Sequence, residues 1–411
     1  PVLGILLFLI ISHVRPLYAR MQKAVDLVNR IIQENLTAIR VVKSYVRGDY
    51  ELSKFEEVNA GLQTTSERAF RVASLNMPAM QFVMYTTILC ILWFGGNLIQ
   101  AGGMKVGELT GFLSYVLQVL NSLMMISNVF MMFTRSLTSW KRITEVMDEK
   151  IDITEDDARD ITVEKGDIEF DHVYFKYSSQ AKEYVLSDIS LKMEAGQTIG
   201  IIGRTGAAKT TLVQLIPRLY DVTEGQIRID GYPVQEYPLK PLRDAIAMVL
   251  QKNTLFSGTV RDNLRWGKED ATEEEIEEAC RIACVDEFIG RLENGYDTDL
   301  GQGGVNVSGG QKQRLCIARA LLKKPKVLIL DDSTSAVDTA TEAKIREGMA
   351  KSLPGTTKII IAQRISSVAH ADKIVILEDG KIHATGTHEE LLKNNLIYQE
   401  IYQSQQEGAD L

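Results

Sequence analysis

The spacing of apolar and charged positions divides the chain into two parts. Val72 to Met104 carries no Asp, Glu, Lys or Arg, and the segment Met77 to Ile99 within it extends about 35 Å as a helix, enough to cross a bilayer. Leu109 to Thr134 is a second charge-free run, about 39 Å as a helix. Gly102-Gly103 between them supplies a turn, so the pair predicts a helical hairpin spanning about residues 77–99 and 109–134. Residues 1–14 are as apolar but too short to span, and the chain opens on Pro1; this predicts the tail of a spanning helix that has lost its start.

From 15 to 75 the apolar residues return at helical spacing, through Val25, Val28, Ile31 and Ile32 and then Ile39, Val42 and Val46, interrupted at Gly48. The pattern predicts two long helices running on from the spans, with a short element at Leu36 to Arg47 at their tip. Ile39, Val41, Val42, Tyr45 and Val46 are too apolar for a free tip, which marks it as a contact surface.

After residue 150 the period changes. Short apolar runs such as Ile199 to Ile202 and Val327 to Leu330 have the length and composition of buried strands, and they alternate with helical patterns. The expected organisation is a membrane part over 1–150, a linker over 151–165, a soluble α/β domain over 166–405 and a tail over 406–411.

Charge sharpens this division. The chain of 411 residues is 45% hydrophobic and 24% charged, with a net charge of -8, enough apolar material for a large core and the wrong balance for nucleic acid, which needs a basic surface. Residues 1–150 sum to about +4 and the remainder to about -12. Ten Lys and Arg lie between Arg15 and Arg71, and Arg135, Lys141 and Arg142 follow the second span, against Lys105 alone in the turn. Basic flanks face the cytosol, which places 100–108 outside and the soluble domain inside the cell membrane. Cys90, Cys280, Cys284 and Cys316 form no CxxC pair, so they read as reduced structural thiols.

The chemistry lies in the soluble part. The strand pattern Ile199 to Ile202 runs directly into Gly203-Arg204-Thr205-Gly206-Ala207-Ala208-Lys209-Thr210-Thr211 and then a helix pattern. Strand, Gly-rich turn, Lys-Thr and helix form a phosphate-binding loop, in which backbone N–H groups cradle phosphate oxygens, Lys209 reaches the β and γ phosphates and Thr210 coordinates Mg²⁺. Ala208 stands where Gly is usual, which is tolerable at negative φ. Val327 to Leu330 ends in Asp331, a carboxylate at a strand's C-terminal end and a hard oxygen ligand for the same metal. Between these elements Ser308-Gly309-Gly310-Gln311 opens a helix, a second phosphate-holding N-terminus.

In this order the motifs resemble a subunit of an ATP-binding cassette exporter whose spans and cassette share one polypeptide. The resemblance covers roughly 166–405 for the cassette, and residues 1–150 resemble the last three membrane helices of such a subunit. It implies an α/β P-loop NTPase cassette, a mixed-sheet core with a helical subdomain, preceded by an all-α transmembrane domain fragment. It further implies ATP and Mg²⁺ as ligands, Tyr177 stacking on adenine, and Gln251 sensing the metal and contacting the membrane domain. Ser335-Ala336-Val337-Asp338 matches the loop that speaks across a dimer. Asp299 to Asn306 matches a segment that senses partner loops, with Gln302 where Glu is frequent. The tip at Leu36 to Arg47 matches a coupling helix that docks into the partner's cassette.

Two positions depart from that family's pattern. Asp332 follows Asp331 where a Glu normally polarises the attacking water, and Gln363 stands where a His normally contacts the γ-phosphate. Gln363 hydrogen-bonds but cannot carry a positive charge. In the family two cassettes close head to tail, so the resemblance implies a heterodimer: this subunit holds ATP at a slow site built from Lys209, Asp331, Asp332 and Gln363, and lends Ser308, Gly309 and Gly310 to a partner's fast one. The alternatives are a competent homodimer using Asp332 as a weak base, and a regulatory subunit that gates rather than powers movement. Gln118, Asn121 and Asn128, with Met124, Met125, Met131, Met132 and Phe133 in the last span, suit an amphiphilic small molecule, drug-like or lipid-like.

Overall fold

The computed structural model describes residues 2–333 and 336–407. Pro1, Thr334, Ser335 and residues 408–411 lie outside this description, as do the side chains of Met124, Asn128, Met131 and Phe133. The chain divides into two compact units, Pro1–Glu149 and Lys150–Leu411.

The first unit is helical. α1 (Val2–Thr37) and α3 (Gly48–Ser74) are joined by the one-and-a-half-turn α2 (Ile39–Ser44), and α4 (Asn76–Gln100) and α5 (Val106–Met147) follow. α1 and α3 pack along part of the stripe read from the spacing: Val28 and Ile31 are buried, while Ile32 is exposed; Ala69 of α3 is buried as well, and Tyr18 meets Phe70 edge-on at 6.3 Å. The tip turns sharply, with Val46 at φ 52°. Leu36, Tyr45 and Val46 there are 71%, 75% and 88% exposed. Pro78 falls in the first turn of α4, where a missing N–H costs no helical bond. Over Gly48–Gln100 the chain is long and apolar enough to cross a membrane. α4 and α5 approach closely at Gly95, where an added Cβ would stand 2.3 Å from a Leu109 methyl carbon, so even a methyl there requires Leu109 to move.

The second unit holds two sheets. In the smaller, β1 (Ile168–Phe175) pairs antiparallel with β2 (Leu186–Met193) and β4 (Glu224–Ile229), and β5 (Tyr232–Pro233) adds to β4. The larger has the order β10-β9-β3-β8-β7-β6, formed by β3 (Thr198–Ile202), β6 (Ile246–Val249), β7 (Val327–Asp331), β8 (Thr357–Ile361), β9 (Lys373–Glu378) and β10 (Lys381–Gly386). Its pairings are parallel except for the β9–β10 edge hairpin. β7 and β8 are buried along their whole length, which is why they read as unbroken apolar runs rather than alternating ones.

Helices cover the larger sheet and build a side lobe. They are α6 (Lys209–Gln214), α7 (Leu239–Ala245), α8 (Val260–Arg265), α9 (Glu273–Ile282), α10 (Asp286–Ile289), α11 (Gly309–Leu322), α12 (Thr339–Ser352), α13 (His388–Asn394) and α14 (Leu396–Glu407). Thr259, Thr272 and Ser308 each cap a helix through a reciprocal box with the residue three positions on, the arrangement that satisfies two orphan N–H donors at once. Cys280, Cys284 and Cys316 are free and buried, and burial pushes the Cys280 thiol up to about 12, so these three are inert packing groups. The end of the 151–165 stretch is clasped by Asp230, whose carboxylate accepts from the N–H groups of Glu164, Lys165, Gly166 and Asp167 at 2.6 to 3.2 Å. Burial raises its pKa, but the four amides together outweigh that and hold it below the usual carboxylate value.

Candidate nucleotide site

The site forms where β3, β7 and β8 end side by side. Parallel pairing of β3 with β8 and of β8 with β7 brings residues from three distant stretches to one sheet edge, the position at which open α/β sheets take ligands. β3 delivers the loop 203–208, β7 delivers Asp331 and Asp332, and the chain after β8 delivers Gln363.

The loop is shaped by its glycines. A Cβ on Gly203 would stand 2.1 Å from the Leu377 carbonyl oxygen, and Gly206 has φ 87°, a left-handed conformation that side chains resist. Ala208 corrects the sequence reading: its φ is 68°, not negative. An alanine held there, at the residue immediately before α6, bears a strain of about 1–2 kcal/mol that glycine would not.

Lys209 folds back over this loop, donating to the carbonyls of Gly203 at 2.8 Å and Arg204 at 2.9 Å. Burial holds its ammonium below the usual lysine value, opposed by the charges of Asp331 and Asp332. Thr210 donates to Asp331 Oδ2 at 2.8 Å. Asp331 is 2% exposed, and burial raises its carboxyl above the ordinary range against the pull of the Thr210 hydroxyl. Thr210 and Asp331 thus place two hard oxygens side by side. That donor pair fits Mg²⁺, which keeps waters and phosphate oxygens for the rest of its shell.

Asp332 sits at the turn leaving β7 with φ 48°, and its N–H donates to the Ile361 carbonyl at 3.0 Å. Its Oδ2 accepts from Gln363 Nε2 at 2.7 Å and, at the limit, from Gln251 Nε2 at 3.5 Å. Gln363 and Gln251 therefore meet at one oxygen of Asp332. Tyr177 is 52% exposed; its hydroxyl lies 2.9 Å from Thr211 Oγ1, and its ring meets Phe175 and Tyr220 edge-on at 4.9 and 5.1 Å. That packing leaves about half of Tyr177 exposed beside the start of α6.

Ser308 to Gln311 belong to a different place. Ser308 N donates to Gln311 Oε1 at 2.8 Å and its Oγ accepts from the Gln311 N–H at 3.4 Å. A Cβ on Gly310 would stand 2.7 Å from the Ala336 carbonyl oxygen. Gln313, buried one turn into α11, accepts from Ala336 N–H through Oε1 at 3.0 Å, and Asp338 caps α12 by accepting from Thr341 N–H at 2.9 Å. Among the described residues, the hydrogen bonds of Ser308 and Gln311 run within α11's own cap and not to the phosphate loop. Sequence spacing missed Gln313, because a buried amide inside a helix looks like any surface glutamine until the backbone N–H that it accepts from is seen.

A nucleotide-shaped loop on a mixed sheet, with a helical lobe presenting a separate Ser-Gly-Gly helix start, defines an ATPase cassette, and here it follows a unit of long apolar helices. Residues 186–335 match the ABC transporter family and residues 1–123 the ABC transporter transmembrane region. The Bacillus subtilis ABC transporter ATP-binding protein YfiB is 42% identical over 412 residues, covering 100% of this chain and 71% of that protein. The ATP-dependent lipid A-core flippase of Desulfotalea psychrophila is 36% identical over 392 residues, 95% of this chain and 68% of the flippase. The structure of a bacterial Atm1-family ABC exporter with ATP bound superposes at a TM-score of 0.86 with 28% identity, over 98% of this chain and 71% of the other. The chain belongs to the ABC transporters, in the exporter group whose transmembrane helices and ATP-binding cassette are fused. It is accordingly a multi-pass plasma-membrane protein with a cytoplasmic cassette, an ATPase coupled to transport, working as a dimer in the bilayer.

Proposed function

We propose that this subunit is the slow half of a heterodimeric exporter: it holds ATP at its own loop and completes a partner's hydrolytic site with Ser308, Gly309, Gly310 and Gln311. The observation that carries the reading is the hydrogen bond from Gln363 to Asp332 at 2.7 Å.

Cleavage of the γ-phosphate needs a water held in line behind phosphorus, with charge on the departing oxygens neutralised. Gly203 to Thr211 bind the triphosphate, with Lys209 turning from its loop carbonyls to the β and γ oxygens, and Tyr177, which is half exposed, offers its ring to adenine. Thr210, Asp331 and Gln251 would hold Mg²⁺, which supplies charge neutralisation between the phosphates. Asp332 is left to position the water. Its carboxylate stops one methylene short of a glutamate's, and displacement by about 1 Å costs on the order of 100-fold in rate. Gln363, at the position that faces the γ-phosphate, also donates to that same carboxylate, and it brings no positive charge. Binding is intact while the water-aligning pair is both short and engaged with itself.

Dimer-crossing contacts would come from Asp338 and its loop, and the apolar tip at 36–47 would dock on the partner's cassette. For cargo we propose a lipid-like or drug-like amphiphile. Gln118 and Asn121 are exposed on α5, polar groups on a membrane helix that belong beside an interior path, and the similar flippase carries lipid A-core.

Turnover tests this division. Purified full-length protein alone should hydrolyse ATP at about 1% or less of the rate seen when it is assembled with an exporter subunit carrying Glu and His at the two positions. Comparable rates in the two preparations would mean a competent homodimer.

A further inference from the structure

The last helix reaches back to the Gln363 loop. α14 is fixed at its base, where Tyr398 is fully buried, its hydroxyl 2.7 Å from His388 Nδ1. The Tyr398 N–H donates to Asn395 Oδ1 at 2.9 Å, and Gln399 Nε2 donates to the Leu392 carbonyl at 2.8 Å. Toward its other end Gln405 turns inward. Its Nε2 donates to the Gln363 carbonyl at 2.8 Å, and its Oε1 accepts from the Ile365 N–H at 2.8 Å.

One side chain therefore brackets both ends of a three-residue stretch. A neutral side-chain amide has the separate donor and acceptor atoms that this bracket requires; a carboxylate has acceptors alone. The stretch lies between β8 and β9 and carries no ladder bonds of its own over Gln363 and Arg364, so the order of its backbone depends on such partners. In front of the bracket, Gln363 Nε2 meets Asp332. Behind it stands α14, tied to α13 and the end of the sheet.

We propose that Gln405 is a positioning residue for the γ-phosphate switch: it sets the reach of Gln363, so that the C-terminal helix governs how long a nucleoside triphosphate is held at this chain's site. The proposal rests on the reading of Gln363 as the residue that faces the γ-phosphate. It is independent of whether the site is slow.

Gln405→Ala in the full-length protein tests it, with Gln405→Glu, which keeps only the acceptor, as the graded variant. Amide exchange at Ile365 should rise about tenfold while β8 stays protected. Dissociation of the non-hydrolysable imido analogue of ATP should speed up about fivefold, with ADP dissociation changed less than about twofold, because ADP lacks the γ-phosphate. Gln405→Glu should fall between. In a Gln363→Ala background Gln405→Ala should add less than about twofold. Unchanged exchange at Ile365, an equal effect on ADP, or an undiminished effect without Gln363 would each overturn the proposal. Fast turnover in the parent protein would instead sink the slow-site reading and leave this one standing.

Discussion

Asp332→Glu combined with Gln363→His raises γ-phosphate cleavage at this chain's own site by about 100-fold, with ATP affinity changed little. The size follows from the lever involved: the longer carboxylate recovers about an ångström of reach toward the attacking water, a displacement worth about two orders of magnitude. Histidine removes the glutamine donor that now engages Asp332 Oδ2 at 2.7 Å and can carry positive charge beside the γ-phosphate. The backbone at 363 should not move, because Gln405 holds the carbonyl and not the side chain. Each single change should give less than the pair. Asp332→Glu alone leaves the new carboxylate engaged by the Gln363 amide, and Gln363→His alone leaves the Asp332 carboxylate short. Single-turnover cleavage of bound ATP separates these variants without interference from the partner's site.

Gly310→Ala has the opposite signature. Its Cβ would lie 2.7 Å from the Ala336 carbonyl oxygen, and that residue's N–H is already held by Gln313 at 3.0 Å. Neither side can yield cheaply, so the start of α11 or the Ala336–Asp338 loop shifts. If, as proposed, the displaced helix start serves the partner's phosphates, total ATPase of the assembled exporter should fall about 100-fold, while ATP binding at this chain's own loop stays within about threefold. Initial-rate ATPase and a binding titration on the same preparation check both halves. Loss of binding on this chain would mean that the helix serves the site in its own subunit.

Much of the site was legible in the sequence because it is built from local motifs. A Gly-rich loop between strand and helix, an aspartate ending an apolar run and a Ser-Gly-Gly helix start each carry their geometry within a few residues. What was not legible depends on long-range pairing. Ala208 takes a positive φ in a loop that begins with Gly203 close against the Leu377 carbonyl of the neighbouring strand, and neither feature can be read from spacing. Gln313 and Gln405 are ordinary helical glutamines by sequence, and only the folded chain shows their amides on the backbone of distant loops. The substitutions at 332 and 363 could be read as departures, but their mutual hydrogen bond could not, since it spans 31 positions and needs β7 and β8 side by side.

The most direct measurement follows the fate of ATP held on this chain. The assembled exporter is loaded with azido-ATP labelled at the γ-phosphate, allowed many turnovers, photo-crosslinked, and its subunits separated. Retention of the γ label on this subunit, while the partner has lost it, is the result expected if Asp332 and Gln363 make a holding site. Loss of the label from both subunits at the same rate would contradict it.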